Sequence, residues 1–300
     1  REILAGPVLR TLEDARREDA PATVGRVVRS TAAASAAPDL LMLSPQRIET
    51  LDATPPPPAA TLGSWTATIA WYLVVALLGA AALPALVALM PSHPALAFGI
   101  ARTAGVFGFG AIAWWATWAG VDSWRPDSLA ALAAILVAAG AIAGWRRRDA
   151  LAAAWSREGW RAEAVFAVLY AAAIALRVSN PDLWTPGYGG EKPMDFAILN
   201  AVVHADAFPP LDPWFAGGRL NYYYGGFVPV AALAKLTGTP PAVATNLAVA
   251  LWMALTGSGI FALARTLALA MPGVAERRAT LAGAIATIAG VGAGNLGIVS

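Results

Sequence analysis

From residue 64 onward, apolar residues form long continuous runs, whereas residues 1–63 mix polar and apolar positions. A helix that crosses the hydrocarbon core of a bilayer needs roughly 20 consecutive apolar residues. Runs of about this length predict four spanning helices in the region 64–178 and further ones in the region 227–300, over about residues 65–90, 95–119, 129–145, 162–178 and 242–271 and from residue 279 onward. The pattern therefore predicts an all-α polytopic membrane protein.

The composition supports this prediction and excludes several other classes of protein. Hydrophobic residues make up 58% of the 300 residues and charged residues only 13%, whereas soluble domains carry about 25% charged residues. Arg102 is the only charged residue between positions 61 and 120. Because the chain contains no cysteine, it has no disulfide, thiolate metal site or cysteine nucleophile. The small net charge of +2 argues against a nucleic-acid partner and leaves the lipid bilayer as the expected one.

Residues 1–63 are interpreted as a polar N-terminal segment and proline-rich linker, the tail of an upstream extracytoplasmic region. An ordinary disordered extension is an equal alternative. Four consecutive prolines, Pro55–Pro58, favour a stiff polyproline spacer within this segment. At the other end the chain stops within an apolar stretch, so the region 227–300 is expected to be truncated at its C-terminus.

Arginine clusters predict how the chain is oriented in the membrane. Arg146–Arg148 follow the third predicted helix, and cytoplasmic loops carry an excess of basic residues. The long loop over residues 179–226 is then extracytoplasmic. A conflict arises at Arg277-Arg278, because strict alternation places them outside if the short apolar stretch 222–236 spans the membrane. Either that stretch is re-entrant or the charge rule fails locally.

The loop 179–226 concentrates the candidate chemistry. Met194–Ala205 is predicted to form an amphipathic helix on the membrane surface, with Pro193 suited to its start. Glu191 just ahead of this helix and Asp195 in its first turn are positioned for their carboxylates to converge. Such a pair can hold a divalent cation, Mg²⁺ or Mn²⁺, or one member can act as a general base. Alternatively, Asp195 only stabilises the helix dipole and Glu191 is a solvated loop charge.

Other polar residues of the loop have a functional and a structural interpretation. Lys192, one of two lysines in the chain, can pair with the acids or meet a phosphate. Arg219 is a second phosphate candidate or an interfacial anchor. The run Tyr222–Tyr224 is an aromatic belt at the interface, with one ring free to face a site. Asp212, which precedes a proline, favours a turn.

Three motifs of this loop, in order, resemble a known family. Gly189–Phe196 (GGEKPMDF), Asp212–Gly218 (DPWFAGG) and Asn221–Tyr224 (NYYY) are similar to the Chlor_Arch_YYY family, uncharacterised multi-spanning membrane proteins named after the tyrosine run. The resemblance covers about residues 65–300. That family in turn resembles the GT-C glycosyltransferases, in which an outward helix is followed by an acidic outer loop and a surface helix.

The resemblance implies a GT-C-like helix bundle and a membrane glycosyltransferase that uses a polyprenyl-phosphate sugar donor. It implies catalytic roles for Asp195 and Glu191, the same pair that would bind a cation. Several GT-C families have adjacent acids, whereas three residues separate this pair, so which acid is the base stays open. The implied substrate-binding residues are Lys192, Asp212, Arg219, Asn221, Tyr222, Tyr223 and Tyr224. The alternative is a non-enzymatic membrane protein that handles lipids, transports a solute or assists assembly.

Overall fold

The computed structural model describes residues 64–181, 183, 191–215 and 217–292, except the side chains of Ser156 and Arg157. The expectations for residues 1–63, for Gly189-Gly190 and for residues 293–300 therefore lie outside the described residues. Within the described ranges the chain is helical and contains no β-strand. The prediction of an all-α protein is confirmed.

The helices lie close to the runs expected from hydropathy. In chain order they are α1 (Ser64–Leu89), α2 (Pro94–Trp118), α3 (Pro126–Arg146), α4 (Arg148–Ala154), α5 (Trp160–Ser179), α6 (Lys192–Val203), α7 (Phe227–Thr237), α8 (Pro241–Leu269) and α9 (Glu276–Thr287). A π-helical segment, Trp155–Gly159, joins α4 to α5. Five of these helices, α1, α2, α3, α5 and α8, are long and apolar enough to cross a membrane.

Glycines allow α1 to pack directly against α2 and α3. A Cβ atom on Gly105 of α2 would lie 2.3 Å from the carbonyl oxygen of Leu78, and one on Gly140 of α3 would lie 2.4 Å from the Cα atom of Ala81. Small residues at such crossings bring helix backbones together in membranes, where van der Waals packing drives association. These two crossings therefore depend on the absence of a side chain at Gly105 and at Gly140.

A substitution on α2 tests this contact. Gly105→Ala is expected to lower the melting temperature by several degrees, because the added methyl group would overlap the backbone of α1 at Leu78. Gly108→Ala is the matched control, since no atom lies within 4 Å of its Cβ position. Thermal unfolding of both variants in the same detergent makes the comparison. Equal melting temperatures would show that α1 and α2 do not pack closely at Gly105.

Ion pairs place the arginine-rich segments at one end of the bundle, here named the arginine end. Arg265 near the end of α8 pairs with Glu158 at 2.7 Å, and Arg161 of α5 pairs with Glu276 of α9 at 3.2 Å. Arg277-Arg278 follow Glu276, and Arg146–Arg148 lie shortly before Glu158 in the chain. Both arginine clusters consequently lie at the same end.

The opposite end, here named the loop end, carries residues 191–213. Trp124, beyond the C-terminus of α2, donates from Nε1 to the carbonyl oxygen of Val202 in α6 at 2.9 Å. Asn246 near the start of α8 donates to the carbonyl oxygen of Pro181, just beyond α5, at 3.3 Å. Helix α8 therefore starts at the loop end and finishes at the arginine end.

Helix α7 resolves the topological conflict, because it does not span the bundle. Its 11 residues rise about 16 Å, roughly half of the hydrocarbon core. Both of its ends contact the loop end. Tyr224, just ahead of it, stacks on Phe208, and Lys235 donates from Nζ to the carbonyl oxygen of Val203 at 2.9 Å. The short stretch returns to the end at which it started, so alternation and the charge rule agree for Arg277-Arg278.

Candidate functional site

Helix α6 carries the predicted acidic pair at its N-terminus. Glu191 occupies the N-cap position, Pro193 lies in the first turn, and the backbone N–H of Asp195 donates to the carbonyl oxygen of Glu191 at 2.9 Å. That bond closes the first turn of α6 and places the two acidic residues one helical turn apart. The position of the helix is close to the predicted range Met194–Ala205.

Helix α6 directs its apolar residues towards other helices of the bundle. Its apolar face is covered by protein, since Ile198 and Leu199 are each only 1% exposed and Val202 is fully buried. The face packs on α7 and α8 within the hydrophobic core. The sequence pattern shows that a helix has an apolar face, but the same pattern fits burial against lipid or against other helices.

The C-terminal end of α6 is held by side chains from two other elements. The last carbonyl groups of a helix lack intrahelical donors. Here the carbonyl oxygen of Val202 accepts from Trp124 Nε1, and that of Val203 accepts from Lys235 Nζ, each at 2.9 Å. The sequence did not predict the role of these donors, because Trp124 and Lys235 lie far from α6 in the chain. With its C-terminal end fixed, α6 presents its N-terminal turn in a defined position.

The two carboxylates differ in their surroundings. Glu191 is exposed, whereas Asp195 is partly buried. Burial, and then the negative charge of Glu191, raise the pKa of Asp195 above its ordinary value. The carboxylate of Glu191 thus lies close enough to influence the ionisation of Asp195. A carboxylate with a raised pKa is a stronger proton acceptor than an ordinary aspartate.

Among the residues that the structure describes, no group of three or more histidine and acidic side chains could hold a metal ion. Magnesium, however, is commonly bound by one or two carboxylates together with substrate phosphate oxygens and water. Glu191 and Asp195 match that donor set, and a cation here would depend on a phosphate ligand.

The structure separates the three tyrosines of the predicted substrate site. Tyr224 is partly buried, and its ring stacks on Phe208 with centroids 6.0 Å apart and packs edge-on against Trp114 at 6.1 Å. Tyr222 and Tyr223 are 47% and 81% exposed, with ring centroids 4.8 Å apart. Tyr224 therefore belongs to the core, and its two neighbours present aromatic faces to their surroundings.

The other predicted binding residues differ in burial and in the part of the structure to which they belong. Lys192 is the first residue of α6 and is partly buried, and Asp212 is partly buried. Asn221 is exposed ahead of the tyrosine run. Arg219 is exposed and lies in Trp214–Arg219, which belongs to a compact unit distinct from the helical one. Lys192 is thus the predicted phosphate ligand that adjoins the acidic pair directly in the chain.

These features define a polytopic α-helical membrane protein with residues 191–213 at one end of its helix bundle. Residues 108–300 match the family model described as "Uncharacterized membrane protein (DUF2298)", so the chain belongs to that family. No curated protein and no solved structure matches the chain. The expectation of an uncharacterised membrane protein family is confirmed, and the match includes every residue of the candidate site.

Proposed function

We propose that this protein is a membrane glycosyltransferase that transfers a sugar from a polyprenyl-phosphate donor to an acceptor hydroxyl at the extracytoplasmic face. The observation that carries the proposal is the partly buried Asp195, whose pKa is raised at the start of an anchored helix beside Glu191. The GGEKPMDF, DPWFAGG and NYYY motifs, with their resemblance to GT-C enzymes, support it.

The location of the acids supports the proposed face of the reaction. Glu191 and Asp195 belong to the loop end, opposite Arg146–Arg148 and Arg277-Arg278. By the positive-inside rule the arginine end is cytoplasmic. The acidic pair would then meet a lipid-phosphate donor whose headgroup lies in the extracytoplasmic leaflet.

In the proposed reaction, Asp195 accepts the proton of the acceptor hydroxyl as its oxygen attacks the anomeric carbon of the donor sugar. A new C–O bond forms to the acceptor, and the C–O bond to the lipid phosphate breaks, with its electron pair leaving on the phosphate oxygen. Attack opposite the leaving group inverts the anomeric configuration. A base with a pKa nearer the working pH suits this step, because it binds the proton more firmly once the proton is transferred.

The leaving phosphate requires positive charge in this scheme. Lys192, beside the acidic pair, would stabilise the charge that develops on the departing lipid phosphate, and Arg219 is the second candidate. A divalent cation, Mg²⁺ or Mn²⁺, held by Glu191 would supply Lewis-acid stabilisation of that phosphate. Glu191 otherwise orients the acceptor. Asp212 and Asn221 would bind polar groups of the substrates, and the exposed rings of Tyr222 and Tyr223 would supply stacking surfaces for a sugar.

The test is a transfer assay with a panel of radiolabelled polyprenyl-phosphate sugars and full-length protein in liposomes. Wild-type protein is expected to transfer label from one donor, and Asp195→Asn to lose at least about a hundredfold in rate, since general base catalysis contributes about 10²–10⁴-fold. Asp206→Asn is the matched control, because Asp206 is an exposed aspartate shortly after the same helix. Full transfer by Asp195→Asn would remove Asp195 from the mechanism.

The melting temperature of Asp195→Asn distinguishes a catalytic role of Asp195 from a purely structural one. The folded state raises the pKa of Asp195, so ionising this group costs stability as pH rises through its ordinary value towards its raised one. Above that window Asp195→Asn removes this cost and is expected to melt no lower than wild type at pH 7. If Asp195 serves only the helix dipole, the variant instead melts lower and transfer is unchanged.

A further inference from the structure

Helices α5 and α9 both pack on α8 and leave a groove between them. Two cavities form this groove, one of about 640 Å³ at the arginine end and one of about 270 Å³ deeper in the bundle. Ala284 of α9 lines both cavities, and Phe261 of α8 lines the deeper one. The groove therefore runs from the arginine end towards the middle of the spanning helices.

The two walls of the groove follow from helical periodicity. On α5 the lining residues come in pairs four positions apart, from Trp160-Arg161 to Val168-Leu169, and on α9 they follow a similar spacing from Glu276-Arg277 to Thr287. Residues at this spacing lie on one face of a helix. The charged residues of both faces are confined to the first turn of each helix, so the groove is charged at the arginine end and largely apolar beyond it.

Arg277 provides a positive charge at the charged end of the groove. The carboxylate of Glu276 lies 3.2 Å from a guanidinium nitrogen of Arg161 and 3.7 Å from one of Arg265, so its charge is balanced within the protein. Arg277 is exposed, lines the groove and forms no ion pair with any residue that the structure describes. An anion in this part of the groove would therefore meet a guanidinium group that no carboxylate of the described residues engages.

We propose that this groove binds an anionic phospholipid from the leaflet at the arginine end. The guanidinium group of Arg277 would contact the phosphate, and an acyl chain would lie along Val165, Val168 and Ile288. A guanidinium fork matches phosphate oxygens, and basic pockets between spanning helices are known to bind acidic headgroups. This inference does not depend on sugar transfer, since the groove lies at the end of the bundle opposite the proposed catalytic residues.

The surroundings of the groove favour a lipid over a soluble anion. Trp160, at its charged end, is 56% exposed. Exposed tryptophans near the ends of spanning helices are typical of headgroup depth. Val168 and Ile288 are exposed along the deeper part, where a bilayer would supply hydrocarbon. A ligand that fills the groove thus needs an apolar part, which inorganic phosphate lacks.

The experiment measures lipid binding by full-length protein in a neutral detergent. Native mass spectrometry during a titration with phosphatidylglycerol yields the affinity, and phosphatidylcholine and inorganic phosphate form the other two arms. Arg277→Gln is expected to weaken phosphatidylglycerol binding about fivefold, the usual contribution of one basic residue near an anionic surface. Arg278→Gln is the matched control, because this neighbouring arginine is exposed but does not line the groove, and it should retain wild-type affinity.

A second pair of variants tests the groove without changing any charge. Ala284→Trp places a large side chain where the two cavities meet and is expected to weaken phosphatidylglycerol binding at least fivefold. Ile285→Trp, at an exposed neighbour outside the groove, should bind as wild type does. Melting temperatures of the lipid-free variants close to that of wild type show that any lost binding does not arise from misfolding.

Four results would overturn the proposal. Equal binding of phosphatidylglycerol and phosphatidylcholine would remove the charge selectivity. Wild-type affinity in both Arg277→Gln and Ale284→Trp would move the lipid to another surface, and equal losses in Arg277→Gln and Arg278→Gln would indicate a diffuse attraction to the basic end. Full competition by millimolar inorganic phosphate would indicate a site for soluble anions. Absence of lipid binding by the wild-type protein would mean that another part of the full-length chain fills the groove.

Discussion

Replacing Arg265 by methionine is expected to lower the free energy of unfolding by about 3–5 kcal/mol, the usual cost of breaking a buried ion pair by removing one partner. The side chain of Arg265 is fully buried, and it donates from Nε and Nη2 to the two carboxylate oxygens of Glu158 at 2.9 and 2.7 Å. It also donates to Thr280 Oγ1 at 2.7 Å and to the carbonyl oxygen of Glu276 at 3.0 Å. The substitution therefore leaves Glu158 buried without its main partner.

A second substitution shows whether this loss arises from the charge. Adding Glu158→Gln to Arg265→Met replaces the buried carboxylate by a neutral amide and should recover more than half of the lost stability. Arg278→Met, at an exposed arginine of the same end, serves as the control and should change stability by less than about 0.5 kcal/mol. Unfolding by sodium dodecyl sulfate in mixed micelles, followed by circular dichroism, measures all of them. Arg265→Met as stable as the control would contradict the paired arrangement.

The second large effect is expected at the ion pair between α2 and α5. Arg102 pairs with Glu163, and the carboxylate also accepts from the hydroxyl of Tyr72. The guanidinium carbon of Arg102 lies 4.3 Å from the ring centroid of Phe166. Ionisable groups in spanning segments are costly unless they are paired. Removing either partner should therefore destabilise the bundle, and the two losses should differ.

The asymmetry follows from exposure. The side chain of Arg102 is 12% exposed and that of Glu163 is 37% exposed. Glu163→Ala leaves the more buried charge, that of Arg102, without its partner and is expected to lower the free energy of unfolding by about 2–4 kcal/mol. Arg102→Met should lower it by only about 1–2 kcal/mol, because Glu163 still accepts from the Tyr72 hydroxyl. A double-mutant cycle on the same unfolding assay should yield a coupling energy of about 1–3 kcal/mol. Additive losses would mean that the pair does not interact.

The same pair tests the non-enzymatic alternative. If Arg102 and Glu163 only hold α2 against α5, the double variant Arg102→Met/Glu163→Gln should transfer sugar at close to the wild-type rate in liposomes. If the protein moves a solute or proton through the bundle, an intramembrane acid and base are the groups that such a pathway uses. Loss of solute or proton uptake into liposomes in the double variant, with unchanged uptake by Asp195→Asn, would favour that alternative.

Much of the fold follows from the pattern of residues along the chain. Each spanning helix satisfies its own backbone hydrogen bonds, as a bilayer requires, so a long apolar run is sufficient to indicate it. The expected run 95–119 and the observed Pro94–Trp118 differ by one residue at each end. The same holds for the start of α6, where a proline and two acidic residues mark the first turn. These features depend only on residues that are adjacent in the chain, so the sequence predicts them without a structure.

Contacts between distant parts of the chain could not be predicted from the hydropathy pattern. Hydropathy could not show whether α7 crosses the membrane, because its length alone fits a re-entrant helix or a shortened span. Contacts of Tyr224 and Lys235 with Phe208 and Val203 place both ends of α7 at one end of the bundle. Nor could the pattern distinguish a lipid-facing α6 from a buried one. Lipid and a protein core are equally apolar, and only packing separates them.

The candidate site divides in the same way. The four-residue spacing of Glu191 and Asp195 predicted that they lie close together at the start of one helix. The sequence also indicated the chemistry available to two carboxylates beside Lys192. The burial that raises the pKa of Asp195, the burial of Tyr224 and the groove between α5 and α9 depend on helices that meet only after folding. Spacing along a helix is a property of a few adjacent residues, whereas burial is a property of everything that surrounds them.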